Sequence, residues 1–286
     1  MVRMSKPTTA AGYLPEQALL ARSTCLYVAT KLGDLADETV VVGGLVPSLL
    51  IDQRKLPEGA EPHAGTMDLD VGLALAALDH ERYQTLTERL RSAGFSPDTN
   101  EEGRLVHQRW RAEVGVTVDF LIAPSHEEDI GGRLRHIEKD FAAMIAPGLP
   151  LAFLDRVKVK LRGKTIKGEK AQRTVWVCGP GAFIVLKALA FDGRGENKDA
   201  YDLFYVLRNF GDGLQTIAAN LLAFLPDPDA KNALDVLERD FLDHDGIGPV
   251  RVATFMKGER DDAIQADVVG FVGQLLKFCR RRGCRS

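Results

Sequence analysis

The chain has 286 residues, 45% hydrophobic and 27% charged, with a formal net charge of −3. That length fits one large domain or two of ordinary size, and the composition excludes a disordered chain. The near-neutral total excludes a protein coated in positive charge, while leaving room for a local basic groove.

In chain order, residues 14–33 carry apolar side chains at helical intervals and stop on Gly33. Thr39–Val42 reads as a short buried strand, followed by the Gly43-Gly44 turn and a helix with Pro47 in its first turn. A polar loop with two prolines and two glycines follows over 51–65. The run MDLDVGLAL then alternates with period two. Met67, Leu69, Val71, Leu73 and Leu75 face one way; Asp68, Asp70, Gly72 and Ala74 face the other. Asp79 is the expected cap of a helix with Tyr83, Leu86 and Leu90 as its inner stripe and Gly94 as its end. RLVHQRW and VGVTVDFLI predict an antiparallel pair turning at Ala112–Gly115. In the second, Val114, Val116, Val118, Phe120 and Ile122 share a face, leaving Thr117, Asp119 and Leu121 opposite. AFLDRVKVKL and RTVWVC predict two strands flanking a basic loop, RGKTIKGEKAQ. Beyond Gly179-Pro180 five segments are helical in pattern with no strand between them. The expected division is an α/β domain over 10–180 and a helical domain over 181–286, α+β overall, with a mixed sheet and flanking helices.

The four cysteines, Cys25, Cys178, Cys279 and Cys284, are scattered with no CxxC pair. This spacing argues against thiolate-bound zinc and for reduced thiols in the cytoplasm. No apolar run reaches the roughly 18–20 residues of a membrane span, and the N-terminus lacks the apolar core of a signal peptide. The sequence therefore predicts a soluble, cytoplasmic protein with no membrane partner.

Asp68 and Asp70 pose the chemical question. Period two sets them on one face of a strand, and a neighbouring strand is able to bring Asp119 alongside. Like charges ~6 Å apart at an effective dielectric near 20 repel by about 3 kcal/mol per pair. Divalent cations reverse that sign, and oxygen-only ligands suit Mg²⁺ or Mn²⁺. Two such ions are the usual apparatus for in-line nucleotidyl displacement. The alternative is a pair of solvated strand-end aspartates. Likewise the Gly43-Gly44 turn either offers bare N–H groups to an anion at a helix start or simply turns the chain.

Taken in order, VVGG, MDLDV and TVDF resemble the pattern hG(G/S), Dh(D/E)h, h(D/E)h of the DNA polymerase beta-like nucleotidyltransferase superfamily. The resemblance implies that superfamily's mixed sheet, with NTP as donor. It further implies that Asp68 and Asp70 coordinate both metals. Asp119 then binds one metal and helps deprotonate the attacking hydroxyl, while Gly43 and Gly44 hold the triphosphate. Residues 183–207, FIVLKALAFDGRGENKDAYDLFYVL, resemble the AbiEii nucleotidyltransferases, which include toxins of type IV toxin–antitoxin pairs and the MenT group. That match supplies Lys187, Arg194, Lys198, Asp199 and Asp202. It implies Lys187 as the triphosphate-binding lysine, Asp202 with Asp199 as its acidic partners, and a cognate antitoxin as a partner. The bland reading of this segment is an amphipathic helix with solvated charges. The chain departs from the family at Ala64, where many members carry arginine. His63 beside it reads as a solvated loop histidine or a substitute phosphate contact.

Residues 158–173 carry Lys158, Lys160, Arg162, Lys164, Lys167, Lys170 and Arg173 against a single acid, Glu169. With no aromatic residue interleaved, this hairpin is suited to phosphate backbone contact rather than base stacking. The C-terminal FCRRRGCRS reads as a solvated tail. The expected activity is Mg²⁺-dependent transfer of NMP to a hydroxyl, with the 3′ end of tRNA as acceptor, in a toxin. Two alternatives stand beside it: a nucleotidyltransferase acting on a small molecule such as an aminoglycoside, and a non-catalytic nucleotide-binding partner protein.

Overall fold

A computed structural model describes residues 6–74, 80–100, 102–113 and 116–283. Leu75, Asp79, Val114, Gly115 and Cys284 lie outside the described residues, as do the side chains of the basic tail from Arg281. Two compact units divide the chain, and the division is not a single cut. One unit joins 15–49 to 66–179; the other joins the segment ending at Leu14 to 50–65 and to everything from Pro180.

The first unit is a mixed sheet with helices. It begins with α1 (Pro15–Leu32), closed by Gly33 at φ 60°, where a side chain would be strained. Three successive valines make β1 (Thr39–Val42), and a single 3-10 turn from Gly43 leads into the short α2 (Val46–Leu50). Then come β2 (Asp68–Leu73), α3 (His80–Ser92), β3 (Phe95–Thr99), β4 (Leu105–Ala112), β5 (Thr117–Ile122), β6 (Leu134–Glu138) and β7 (Phe141–Ile145). After α4 (Leu149–Leu154) the unit ends in the long hairpin of β8 (Arg156–Lys164) and β9 (Lys170–Cys178). The described strands form one sheet in the order β3-β4-β5-β2-β1-β9-β8, with β7 also on β5 and β6 on β7. β2 and β5 are parallel, whereas β1–β2, β4–β5 and β8–β9 are antiparallel.

The alternation expected of the strands sets the core. Leu69, Val71 and Leu73 are buried with Val118, Phe120 and Ile122. Phe120 and Trp110 pack on Phe141 with ring centroids 5.2 and 6.1 Å apart. Tyr83, Leu86 and Leu90 are the buried stripe of α3.

Several elements differ from the sequence reading. Residues 152–154 are helical, not strand: Gly148 adopts φ 76° and Pro150 takes the first turn of α4, a combination that starts a helix. Most of the basic loop is strand, because β8 and β9 stay paired out to Lys164 and Lys170. β3, β6 and β7 carry no alternating signal long enough to read. β3 holds Pro97, which an edge strand with a bulge beside it tolerates.

The second unit is helical. Its C-terminal part runs through α5 (Pro180–Arg194), α6 (Asn197–Asn209), α7 (Gly213–Ala223), α8 (Pro228–Phe241), α9 (Ile247–Lys257) and α10 (Asp262–Gly283). α9 is an addition to the sequence reading, since its Gly-Pro start reads as a turn. Phe183, Phe204, Phe241 and Phe255 are fully buried in the core of this unit, and Phe191 meets Phe241 at 5.0 Å. No described helix is long and apolar enough to cross a membrane.

Candidate active site

The sheet gathers the sequence-predicted carboxylates of the first unit. Across β2 and β5, Asp68 stands opposite Thr117 and Asp70 opposite Asp119. Across β4 and β5, Arg109 stands opposite Asp119. Directly opposed residues share a sheet face, so Arg109, Asp119 and Asp70 form one row over three strands. Asp68 sits two residues along from Asp70, on the same face. Asp68 and Asp119 are both buried.

Each acid is held in a different way. The Thr117 hydroxyl donates to Asp68 Oδ1 at 2.7 Å. Asp70 lies against Gly43: a Cβ at Gly43 would fall 1.9 Å from Asp70 Oδ2, and the glycine also has φ 70°. Gly43 is therefore required twice, by its backbone conformation and by the carboxylate beside it. Gly44 is buried in the turn that follows. The helix after it spans only five residues, so its dipole adds little to anion binding here.

Asp119 is engaged by Arg109. Nε donates to Oδ1 at 2.7 Å and Nη2 to Oδ2 at 2.5 Å, a two-pronged charge-assisted pair. Hydrogen bonding to Asp119, and then the charges of Asp119, Asp68 and Asp70, hold the Arg109 guanidinium firmly protonated. The question of how three acids tolerate one another thus has an answer within the chain. One arginine stands among them.

Sequence reasoning missed Arg109, although a signal existed. Ala112 N–H donates to the Val116 carbonyl across the hairpin turn, and counting three residues outward on each strand sets Arg109 against Asp119.

The fit of this face to a divalent cation is divided. Asp68 and Asp70 offer hard oxygen donors on one face, the chemistry Mg²⁺ or Mn²⁺ requires. Both oxygens of Asp119 already accept from Arg109, whose positive charge stands against a cation at this third acid. Among the described residues no group of three or more His, Cys, Asp or Glu side chains is set to hold a metal ion.

The remaining sequence-predicted residues belong to the helical unit, where they form a buried ionic network. Lys187 Nζ donates to Asp199 Oδ1 at 2.9 Å and to Asp202 Oδ2 at 2.7 Å. Arg194 clasps Asp199 from the other side, and Lys198 reaches Asp202 Oδ1 at 2.7 Å. Burial opposes the Lys187 charge, but Asp199 and Asp202 outweigh it and raise its pKa. Both aspartates titrate below the usual carboxylate range, since their cations outweigh the cost of burial. Lys187, Asp199 and Asp202 are paired inside the unit and not solvated on a helix face, while Arg194 closes the network from the surface.

His63 corrects the sequence reading most sharply, because it is not a solvated loop histidine. Its side chain is fully buried. The ring stacks on Tyr201 with centroids 5.3 Å apart and meets Tyr205 edge-on at 4.9 Å. The Gly65 N–H donates to Nδ1 at 3.1 Å, so that nitrogen carries no proton. The proton is on Nε2, which donates to Asp202 Oδ1 at 2.9 Å. Burial pushes the His63 pKa down to about 4 despite Asp202. The segment is fixed at further points, with Ala64 N–H on the Tyr201 hydroxyl at 3.0 Å and His63 N–H on Gln53 Oε1 at 2.8 Å.

The basic hairpin is built with one charged face. Lys158, Lys160, Arg162 and Lys164 recur at every second position of β8, opposite Trp176, Thr174, Gln172 and Lys170. Arg156 and Lys158 lie 4.1 and 4.7 Å from the Trp176 ring centroid. Strand pairing thus brings an aromatic ring to a charge run that has none within residues 158–173. Lys167 is turned to Glu113 at 3.2 Å.

No protein-family model matches this chain, and no curated protein matches it.

Proposed function

We propose that the protein is a polymerase-beta-like nucleotidyltransferase that moves NMP from an NTP to a hydroxyl group. The observation that carries this reading is the row formed by Asp70 and Asp119 on parallel neighbours, with Asp68 beside them and Gly43 making room for the Asp70 carboxylate. Solvated strand-end aspartates would not leave Asp68 and Asp119 buried and Asp70 set against a glycine that has to be a glycine.

In this reading Asp68 and Asp70 would hold Mg²⁺ or Mn²⁺, which would supply charge neutralisation at the phosphates and at the leaving pyrophosphate. The acceptor oxygen bonds to the α-phosphorus as the bond from that phosphorus to the bridging β-oxygen breaks. Asp119 takes the hydroxyl proton once Arg109 releases it. Lys187, with Asp199 and Asp202, is assigned to the triphosphate by the resemblance. What the helical unit contributes to that assignment is a lysine kept charged by two carboxylates.

The acceptor we favour is RNA, with the 3′ end of tRNA as the specific proposal. The one-sided row of exposed cations on β8 supports a polyanion over a small molecule. Toxin action and a cognate antitoxin follow from the AbiEii-like segment alone. The test is incubation with total RNA, each labelled NTP in turn, and Mg²⁺. Label is expected on RNA with the native chain and is expected to vanish with Asp68→Asn or Asp70→Asn. Transfer that survives either substitution refutes the assignment.

A further inference from the structure

We propose that Arg109 is a built-in counter-ion that keeps Asp119 out of the metal site until a phosphate group draws the guanidinium away. The inference rests on the nucleotidyltransferase reading and adds a regulatory step to it. Three observations lead there. Arg109 and Asp119 are direct cross-strand partners, so the pair is set by the hairpin register rather than by chance approach. Both Asp119 oxygens accept from the guanidinium, at 2.7 and 2.5 Å, so its charge sits directly on that acid. And the pair shares its face with Asp68 and Asp70, the other two acids of the expected metal set.

The physical consequence is an exchange of partners. In the resting protein one internal cation offsets part of a triple negative charge. Asp68 and Asp70 would hold a first divalent ion against the positive charge of Arg109 beside them. A guanidinium forks onto phosphate as readily as onto carboxylate, since both present two oxygens at matching spacing. A donor's phosphates therefore offer Arg109 an alternative anion and free Asp119 for the metal and for the acceptor proton. Metal and phosphate binding are then positively coupled, and linkage requires each to strengthen the other by the same factor. Arg109 thus acts on Asp119 in the resting protein and on the donor's phosphates once they are bound. Neighbouring Arg111 does not substitute for it, because its fork is on Asp98 at 2.6 and 2.9 Å.

Mn²⁺ binding, followed by electron paramagnetic resonance, tests this without any turnover. In the native protein, pyrophosphate is expected to tighten Mn²⁺ binding by about ten- to a hundredfold. Arg109→Gln is expected to bind Mn²⁺ about tenfold more tightly than native without pyrophosphate, and to lose most of the pyrophosphate effect. Arg109→Lys, which keeps the charge and loses the fork, should fall between them. It also serves if the glutamine variant does not fold. Equal Mn²⁺ affinity in native and variant proteins, with equal response to pyrophosphate, overturns the role of Arg109 while leaving the metal site standing. No Mn²⁺ bound by any of these proteins, with or without pyrophosphate, overturns the metal reading itself and this proposal with it.

Discussion

The buried histidine of the helical unit gives a stability prediction whose sign and size both follow from its surroundings. His63 has a folded pKa of about 4 against an ordinary value of 6.5. A depressed pKa means that the unfolded chain takes up the proton first. The stability that neutral His63 provides is therefore complete above pH 6.5 and is lost as pH falls towards 4. Between pH 7.5 and pH 5 the loss is about 2 kcal/mol, and at its limit in stronger acid about 3 kcal/mol. Asp202 and Asp199 are also depressed, but from an ordinary value of 3.8, so their losses begin at lower pH. Urea unfolding at pH 7.5 and 5, followed by helical circular dichroism, measures this directly. The two tryptophans, Trp110 and Trp176, both lie in the sheet unit, so their fluorescence serves as an internal control. The native chain should lose about 2 kcal/mol of helical-unit stability, and His63→Gln only a small fraction of that. The same pH dependence in both proteins would falsify the account of a neutral, buried imidazole.

Gly43→Ala should destabilise the sheet unit by at least ~1–2 kcal/mol from the left-handed backbone alone. Displacement of Asp70 adds to this, so thermal melting should fall and Mn²⁺ binding weaken together; a stable, metal-binding alanine variant would contradict the packing described. Lys187→Met strips a buried pair of carboxylates of their shared cation and should cost about 3–5 kcal/mol by denaturant titration of the helical signal. A cost below about 1 kcal/mol would mean that Arg194 and Lys198 suffice to hold the acids. Combined reversal of Lys160, Arg162 and Lys164 to Glu should weaken RNA binding and flatten its dependence on salt. The slope of log K against log[salt] should shrink by roughly 0.7–0.9 for each phosphate that the variant no longer neutralises. Unchanged slope would remove the hairpin from the interface.

Strong periodicity is what made the central part of the fold legible. β2 and β5 alternate cleanly because each has one apolar and one polar face, and Asp68, Asp70 and Asp119 appear at once on the polar one. Counting from the turn extends the same logic to Arg109, but only after the register of the hairpin is known. Elements without periodicity stayed hidden. β3 contains a proline and a bulge, α4 is six residues long, and α9 opens on Gly-Pro. His63 lies in a segment whose composition is that of a loop, and such a segment is normally solvated. Its burial depends on Tyr201, Tyr205 and Asp202, about 140 residues later in the chain. No local pattern encodes so distant a set of partners. The charges of α6 mislead for a related reason, since a lysine and two aspartates look alike in sequence whether they meet water or one another.

The helical unit borrows residues 50–65 from the first quarter of the chain. During synthesis this strap leaves the ribosome well before the helices it joins, and it must wait, unsatisfied, while more than a hundred further residues are made. A single cleavage at Gly179 would strand Asp202 on one piece and its imidazole on the other. The two units are therefore not modules that evolution or an experimenter can exchange by one crossover: any shuffling of the C-terminal helices has to carry the early strap with it.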